Sequence, residues 1–182
     1  MSGLREQEVQ CLYKKDVDLK EQVLRVSAKK ELGFIPKNWE HREVPMPDHL
    51  ASSLRRHIAA LPAESRLIFA TTGAQKDHHF LEACKRIAYR AGLNCGRCED
   101  GEKACTDGPH CHNWYLHKFR STFATKHLRN GVDLRTVQAW MGHKDLASTM
   151  RYLQPARGKD VLDKVNNTFR TLKPLLVKLQ GA

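Results

Sequence analysis

Apolar positions recur at helical spacing along most of the chain and turn to short β-rich runs only near its start. Leu50, Leu54, Ile58 and Leu61 fall three to four residues apart, the spacing of one buried helical face. Asp48 sits where a cap belongs and Pro62 where the helix must stop. Phe80, Cys84, Ile87 and Ala91 predict a second helix, from about Asp77 to a C-terminal cap at Gly92. From Leu116 onward four helices follow: Leu116 to Asn130, Leu134 to Met141, Leu146 to Gln154, and roughly Lys159 to Leu179. Gly131 and Gly142 end the first two, and Asp133 and Asp145 are placed to cap the second and third. Glu6 to Lys15 also reads as helical. The β-rich runs Val23 to Ser27 and Arg42 to Met46 predict neighbouring antiparallel strands joined by a long loop. The fold class is therefore mainly α with a small antiparallel β-sheet (α+β).

Length and composition narrow the class. With 182 residues, 41% hydrophobic and 28% charged, the chain can bury a core and is too apolar for a disordered segment, so residues 1–182 are expected to form one domain. A formal charge of +11, from 31 Lys plus Arg against 20 Asp plus Glu, favours a polyanionic partner, with nucleic acid leading. No stretch approaches the roughly 18 apolar residues of a membrane span, and the first residues lack a signal-peptide core. No membrane partner is expected, and a cytoplasmic location is.

Candidate chemistry gathers in the second half. His117 and Arg120, three apart, share one face of their helix, beside the apolar stripe Leu116, Phe119 and Phe123. His143 follows the Gly142 stop, in a turn where a ring can reach a cleft. In the next helix Leu146, Met150 and Leu153 form the expected core stripe, and Tyr152 lies off it beside Ser148 and Thr149.

This set resembles the second signature box of the tyrosine recombinases (phage integrase family): His117-Lys118-Phe119-Arg120, then Gly142-His143, then Tyr152. The intervening text, including Asn130-Gly131-Val132-Asp133-Leu134 and Val137-Gln138-Ala139-Trp140-Met141, is similar to the family's as well. The family's first box, Gly-Leu-Arg with Glu three residues on, is matched by Gly3-Leu4-Arg5 and Glu8, and a later landmark by Arg42-Glu43-Val44-Pro45. The resemblance implies the catalytic-domain fold of the DNA breaking-rejoining enzymes and site-specific recombination or integration through a 3′-phosphotyrosyl link. It assigns catalytic roles to Arg5, Lys29, His117, Arg120, His143 and Tyr152, with Lys30 the alternative to Lys29. It also implies a homotetramer on two DNA sites, a C-terminal helix at about 159–180 exchanged between subunits, and no cofactor for catalysis. Family members carry a DNA-clamping domain ahead of these boxes; with Met1 four residues before Arg5, that domain is expected to be absent from this chain. A non-catalytic zinc-containing DNA-binding module and a type IB topoisomerase-like enzyme are the competing readings.

Between Leu93 and Trp114 neither period appears. Cys95, Cys98, Cys105 and Cys111 fall here among Gly96, Gly101 and Gly108, which suits a short loop wrapped on a structural zinc, with His110 or His112 as alternative ligands. Cys11 and Cys84, in predicted helices, are expected in the core.

Overall fold

The computed structural model describes residues 2–36, 41–96, 98, 105, 110–153 and 159–169. They divide into two units, Met1–Tyr152 and Leu153–Ala182, each described by itself.

In the first unit, three antiparallel strands are ordered β1 (Val17–Asp18), β2 (Val23–Val26) and β3 (Arg42–Pro45). Leu24 pairs with Val17 on one side and Val44 on the other. Alternation sends Leu24, Val26 and Val44 inward, while Arg25 remains exposed. Against this sheet pack Ala51 and Leu54 of α2 (Asp48–Ala60), Phe123 and Ala124 of α4 (His117–Arg129), and Val137 and Met141 of α5 (Leu134–Met141). The predicted strands and their antiparallel pairing are thus present; β1 is an addition.

Several elements differ from their sequence patterns. Helix α1 ends early, at Glu6–Gln10, because Leu12 O accepts from Ile68 N–H at 3.0 Å and Tyr13 bridges to Leu67. Extended pairing there takes the backbone groups that another helical turn would need. Cys11, just past this helix, is fully buried, as expected of a core thiol, whereas Cys84 is only half-buried. Helix α3 starts three residues late, at Phe80–Arg90, and buries Ala88 while Ile87 is exposed. The predicted stripe is rotated because the neighbour of this helix is the cysteine-rich segment, which meets Ala88. Helix α6 is short, Leu146–Met150, and its buried residue is Thr149; Met150 and Leu153 are exposed.

Two of the three predicted aspartate caps are present; Asp48 is instead the first residue of α2, whose N-cap is Pro47. Asp133 accepts from Thr136 N–H at 2.9 Å and Asp145 from Ser148 N–H at 2.8 Å, and Gly142 ends α5 at φ 58°. In the second unit α7 spans Lys159–Phe169, with Leu162 and Val165 exposed; the expected continuation past Phe169 lies outside the described residues. Among the described residues no helix is long and apolar enough to cross a membrane.

Candidate active site

The site forms around the C-terminal end of α5. A helix end leaves its last carbonyls without intrahelical partners and carries roughly half a negative charge. Two of these carbonyls are taken locally, Gln138 O by His143 N–H and Ala139 O by Gly142 N–H. The next three go to three arginines: Arg42 Nε donates to Trp140 O at 2.8 Å, Arg120 Nη2 to Met141 O, and Arg5 Nη2 to Gly142 O at 3.0 Å. Every carbonyl of the last turn is thereby paired, and three guanidinium groups converge on the end of one helix.

Glu8 holds two of these arginines. Its Oε1 accepts from Arg5 Nη1 at 3.0 Å, and its Oε2 from Arg42 Nη2 and from the Arg5 backbone N–H, both at 2.6 Å. Burial alone would raise this carboxyl, but the hydrogen bonds and charges of Arg42 and Arg5 hold it below its ordinary value. Arg120 is 2% exposed and also donates from Nη1 to Gly3 O at 2.5 Å. Burial, with Arg5 beside it, lowers Arg120 to about 10, so it stays charged at neutral pH.

Two glycines make these approaches feasible. A Cβ on Gly3 would stand 2.6 Å from the Phe123 ring, and Gly3 has φ 68°, so only glycine lets this loop lie on α4 and offer its carbonyl. A Cβ on Gly142 would press on the Arg42 guanidinium at 3.2 Å.

His143 and Tyr152 complete the cluster. The His143 Nδ1 lies 2.9 Å from the Thr149 hydroxyl, and its ring stacks on Tyr152 with centroids 6.1 Å apart. The Tyr152 hydroxyl lies 3.4 Å from His117 Nε2. Burial, then Arg120, Arg5 and Arg151, push His143 down to about 4, and the same causes lower His117. Both rings are therefore neutral at pH 7, each with one donor and one acceptor nitrogen.

The lowered His143 value has a stability consequence. An unfolded histidine titrates near 6.5, so between about pH 6.5 and about pH 4 the unfolded chain binds a proton that the native ring refuses. Stability is complete above about pH 6.5 and is lost as pH falls toward 4. His117 and His127, also lowered, act in the same sense. Urea midpoints should drop between about pH 7 and about pH 5, and His143→Gln should shrink that drop; an equal drop in the variant would remove His143 as a contributor.

Five of the six expected catalytic residues, Arg5, His117, Arg120, His143 and Tyr152, are thus gathered at one end of α5. Lys29 is placed differently. It follows β2, is 4% exposed, and directs its Nζ to Asp16 Oδ2 at 2.9 Å and to Ser27 O and Oγ at 3.1 Å. The sequence pattern did not single out Glu8, Arg42 or Thr149 as working residues. The Glu8 and Arg42 signals lay in the two landmarks, Thr149's in its place between His143 and Tyr152.

The sequence pattern of the Phage integrase family matches residues 1–158. The chain belongs to that family. Tyrosine recombinase XerA of Saccharolobus solfataricus is 28% identical over 168 residues, 92% of this chain and 45% of that protein. Tyrosine recombinase XerD of Ralstonia nicotianae is 30% identical over 164 residues, 86% of this chain and 46% of that protein. This phage integrase family member spans about half the length of the curated relatives it matches. The Tn1549 transposon integrase, solved with a circular intermediate DNA, superposes with a TM-score of 0.64 at 19% identity, over 91% of this chain and 55% of that one. The two share the fold, which is the tyrosine-recombinase catalytic fold expected from the sequence.

The same integrase-family fold carries the cysteine cluster. The Sγ atoms of Cys95, Cys98, Cys105 and Cys111 all lie within 4.8 Å of one another, three pairs at 3.5 Å. A tetrahedron with metal–sulfur bonds of about 2.3 Å has edges of about 3.8 Å, so the four sulfurs could bind a metal ion. Asn113 Nδ2 donates to Cys105 Sγ at 2.9 Å, as an outer-shell donor does for a thiolate. His110 turns its Nε2 to Glu82 at 2.8 Å, and His112 is exposed. The sulfurs pack with Ala88, Trp114 and Leu116, just ahead of α4, and Trp114 meets Phe119 edge-on at 5.4 Å.

Proposed function

We propose that this chain is the catalytic portion of a tyrosine site-specific recombinase or integrase, which cuts and rejoins double-stranded DNA through a 3′-phosphotyrosyl link to Tyr152. The observation that carries this reading is the charge balance beside the Tyr152 hydroxyl. Three guanidinium groups face one carboxylate and a helix end of about −0.5, leaving an excess of about +1.5 that a phosphodiester can offset. The net charge of +11 and the relatives' recombinase names support the same reading.

In the proposed reaction Arg5 and Arg120 clamp the two non-bridging oxygens with their planar forks. His117 handles the proton of the Tyr152 hydroxyl as its oxygen attacks phosphorus and the bond to the 5′-oxygen breaks. His143 donates a hydrogen bond to the phosphate. Lys29 protonates the departing 5′-oxygen, which requires its ammonium to leave Asp16; Lys30 is the alternative donor. The phosphotyrosyl ester keeps the bond energy, so reversal with a new 5′-hydroxyl rejoins the strand without a cofactor.

Recombination joins two sites, so a homotetramer on two duplexes is the proposed assembly, with α7 as the exchanged element; its exposed Leu162 and Val165 suit a neighbour's surface. The proposed location is cytoplasmic and DNA-associated. The test is to incubate the chain with a library of nicked duplexes of randomised sequence and recover adducts that survive denaturant. Peptide mapping should place the DNA on Tyr152. Reversible binding with no adduct to any duplex would favour a non-catalytic DNA-binding module.

Structural zinc is proposed for Cys95, Cys98, Cys105 and Cys111. Elemental analysis should find about one zinc per chain, and the double change Cys95→Ser and Cys98→Ser should remove it and loosen the packing of Trp114, since metal-binding energy is also folding energy. Metal-free protein with an unchanged melting point would refute the assignment.

A further inference from the structure

We propose that the Thr149 hydroxyl is a positioning group that holds the His143 ring in the tautomer with its proton on Nε2, directed at the phosphate between Arg5 and Arg120. The inference rests on the recombinase reading above and adds to it a residue outside the expected catalytic set.

Thr149 is fully buried although polar, on a short helix whose neighbouring apolar residues Met150 and Leu153 are exposed. A buried hydroxyl needs a partner, and here the partner is His143 Nδ1 at 2.9 Å. Through its backbone the same residue reaches the nucleophile, because Thr149 O accepts from Tyr152 N–H at 3.0 Å. One residue thus spans the two groups whose rings stack on each other. The imidazole is fixed at one nitrogen by Thr149 and on one face by Tyr152.

Two hydrogen assignments satisfy the 2.9 Å contact. The hydroxyl can donate to Nδ1, leaving the proton on Nε2, or Nδ1–H can donate to the hydroxyl oxygen, leaving Nε2 as an acceptor. A helical threonine can also turn its hydroxyl to the carbonyl four residues back, which would favour the second arrangement. The surroundings favour the first. Burial, then Arg120, Arg5 and Arg151, oppose a charged ring, so the ring is neutral and has one proton to place. An Nε2 lone pair facing a phosphate oxygen is repulsive, whereas Nε2–H donates to it. Holding that tautomer before DNA arrives avoids reorganisation when charge develops on the phosphate.

The test compares Thr149→Val, nearly isosteric but without a donor, and Thr149→Ser, which keeps the hydroxyl. The ¹⁵N chemical shifts of the His143 ring, read on the protein alone, report the tautomer directly. Wild type and Thr149→Ser should show Nε2–H, and Thr149→Val should move toward a tautomer mixture. Adduct formation on nicked duplexes recovered from the library should slow roughly 10- to 100-fold in Thr149→Val, the scale of loss when a metal-ligating histidine loses its orienting partner, and recover in Thr149→Ser. Nδ1–H in wild type, or wild-type shifts and adduct rate in Thr149→Val, overturns the proposal. Absence of any wild-type adduct is instead a failure of the recombinase reading, and the tautomer assignment is then decided by the ring shifts.

Discussion

Replacing Tyr152 with Phe is expected to abolish the covalent protein–DNA adduct and leave the fold almost untouched. The ring's contacts survive the change: it packs against the main core cluster and stacks on His143, and both contacts use carbon. What disappears is the oxygen 3.4 Å from His117 Nε2. A hydroxyl on a half-buried ring contributes little to stability, so the melting point should move by less than about 0.5 kcal/mol allows. The adduct yield should fall by at least about 10³-fold, because in the proposed reaction the ester forms at this oxygen and the loss is confined to the reaction itself. Denaturing gels of protein incubated with a cleavable nicked duplex read the outcome. Undiminished adduct in Tyr152→Phe would assign the nucleophile elsewhere.

How far the sequence reveals this site depends on whether a residue's partner is local. The caps Asp133 and Asp145 bond to amides three residues on, so spacing alone finds them. The Gly142 stop is equally local, and the turn it creates brings His143 to the cluster. Long-range polar pairs are another matter. Arg42 meets Glu8 across 34 positions and Trp140 O across 98, and Arg5 meets Gly142 O across 137. Without the family boxes these charges look like solvated surface, and their convergence on the helix end has no side-chain signature, since the groups that gather them there are carbonyls. Hydrophobic periodicity erred where the neighbouring surface is not an ordinary apolar core. Ala88 faces sulfurs, so the α3 stripe is displaced from Ile87. Thr149 faces an imidazole, so α6 buries a hydroxyl and exposes Met150. The box residues were legible as a set through family resemblance. Lys29 shows the limit of such matching: a landmark can place a lysine on the hairpin, while Asp16 and Ser27 decide where its ammonium rests.

Outside Tyr152, the proposed nucleophile, Arg120→Ala should be the most damaging change, because the structure and the proposed reaction give this guanidinium two functions that the variant loses together. One is structural. Its two terminal nitrogens join Gly3 O to Met141 O, tying the loop before α1 to the end of α5. Without them two carbonyls in a buried region are left to find new partners, at about 1–3 kcal/mol each, partly offset by relief of repulsion from Arg5 and Arg42. A net loss of about 2–4 kcal/mol corresponds to a melting point lower by about 5–15 °C for a chain of this size. The other function is electrostatic. Removing one positive group from the proposed phosphate site should slow adduct formation by about 10²- to 10³-fold, as for loss of a transition-state donor. Arg120→Lys separates the two. It retains the charge, but a single ammonium cannot span both carbonyls and a phosphate oxygen as a planar fork does, so reversible DNA binding should stay near wild type while adduct formation remains slow. Melting curves, a binding isotherm at fixed salt and single-turnover adduct rates for the two variants make the comparison. If Arg120→Lys formed adduct at the wild-type rate, charge alone would suffice and the fork geometry at the end of α5 would have no part in the reaction.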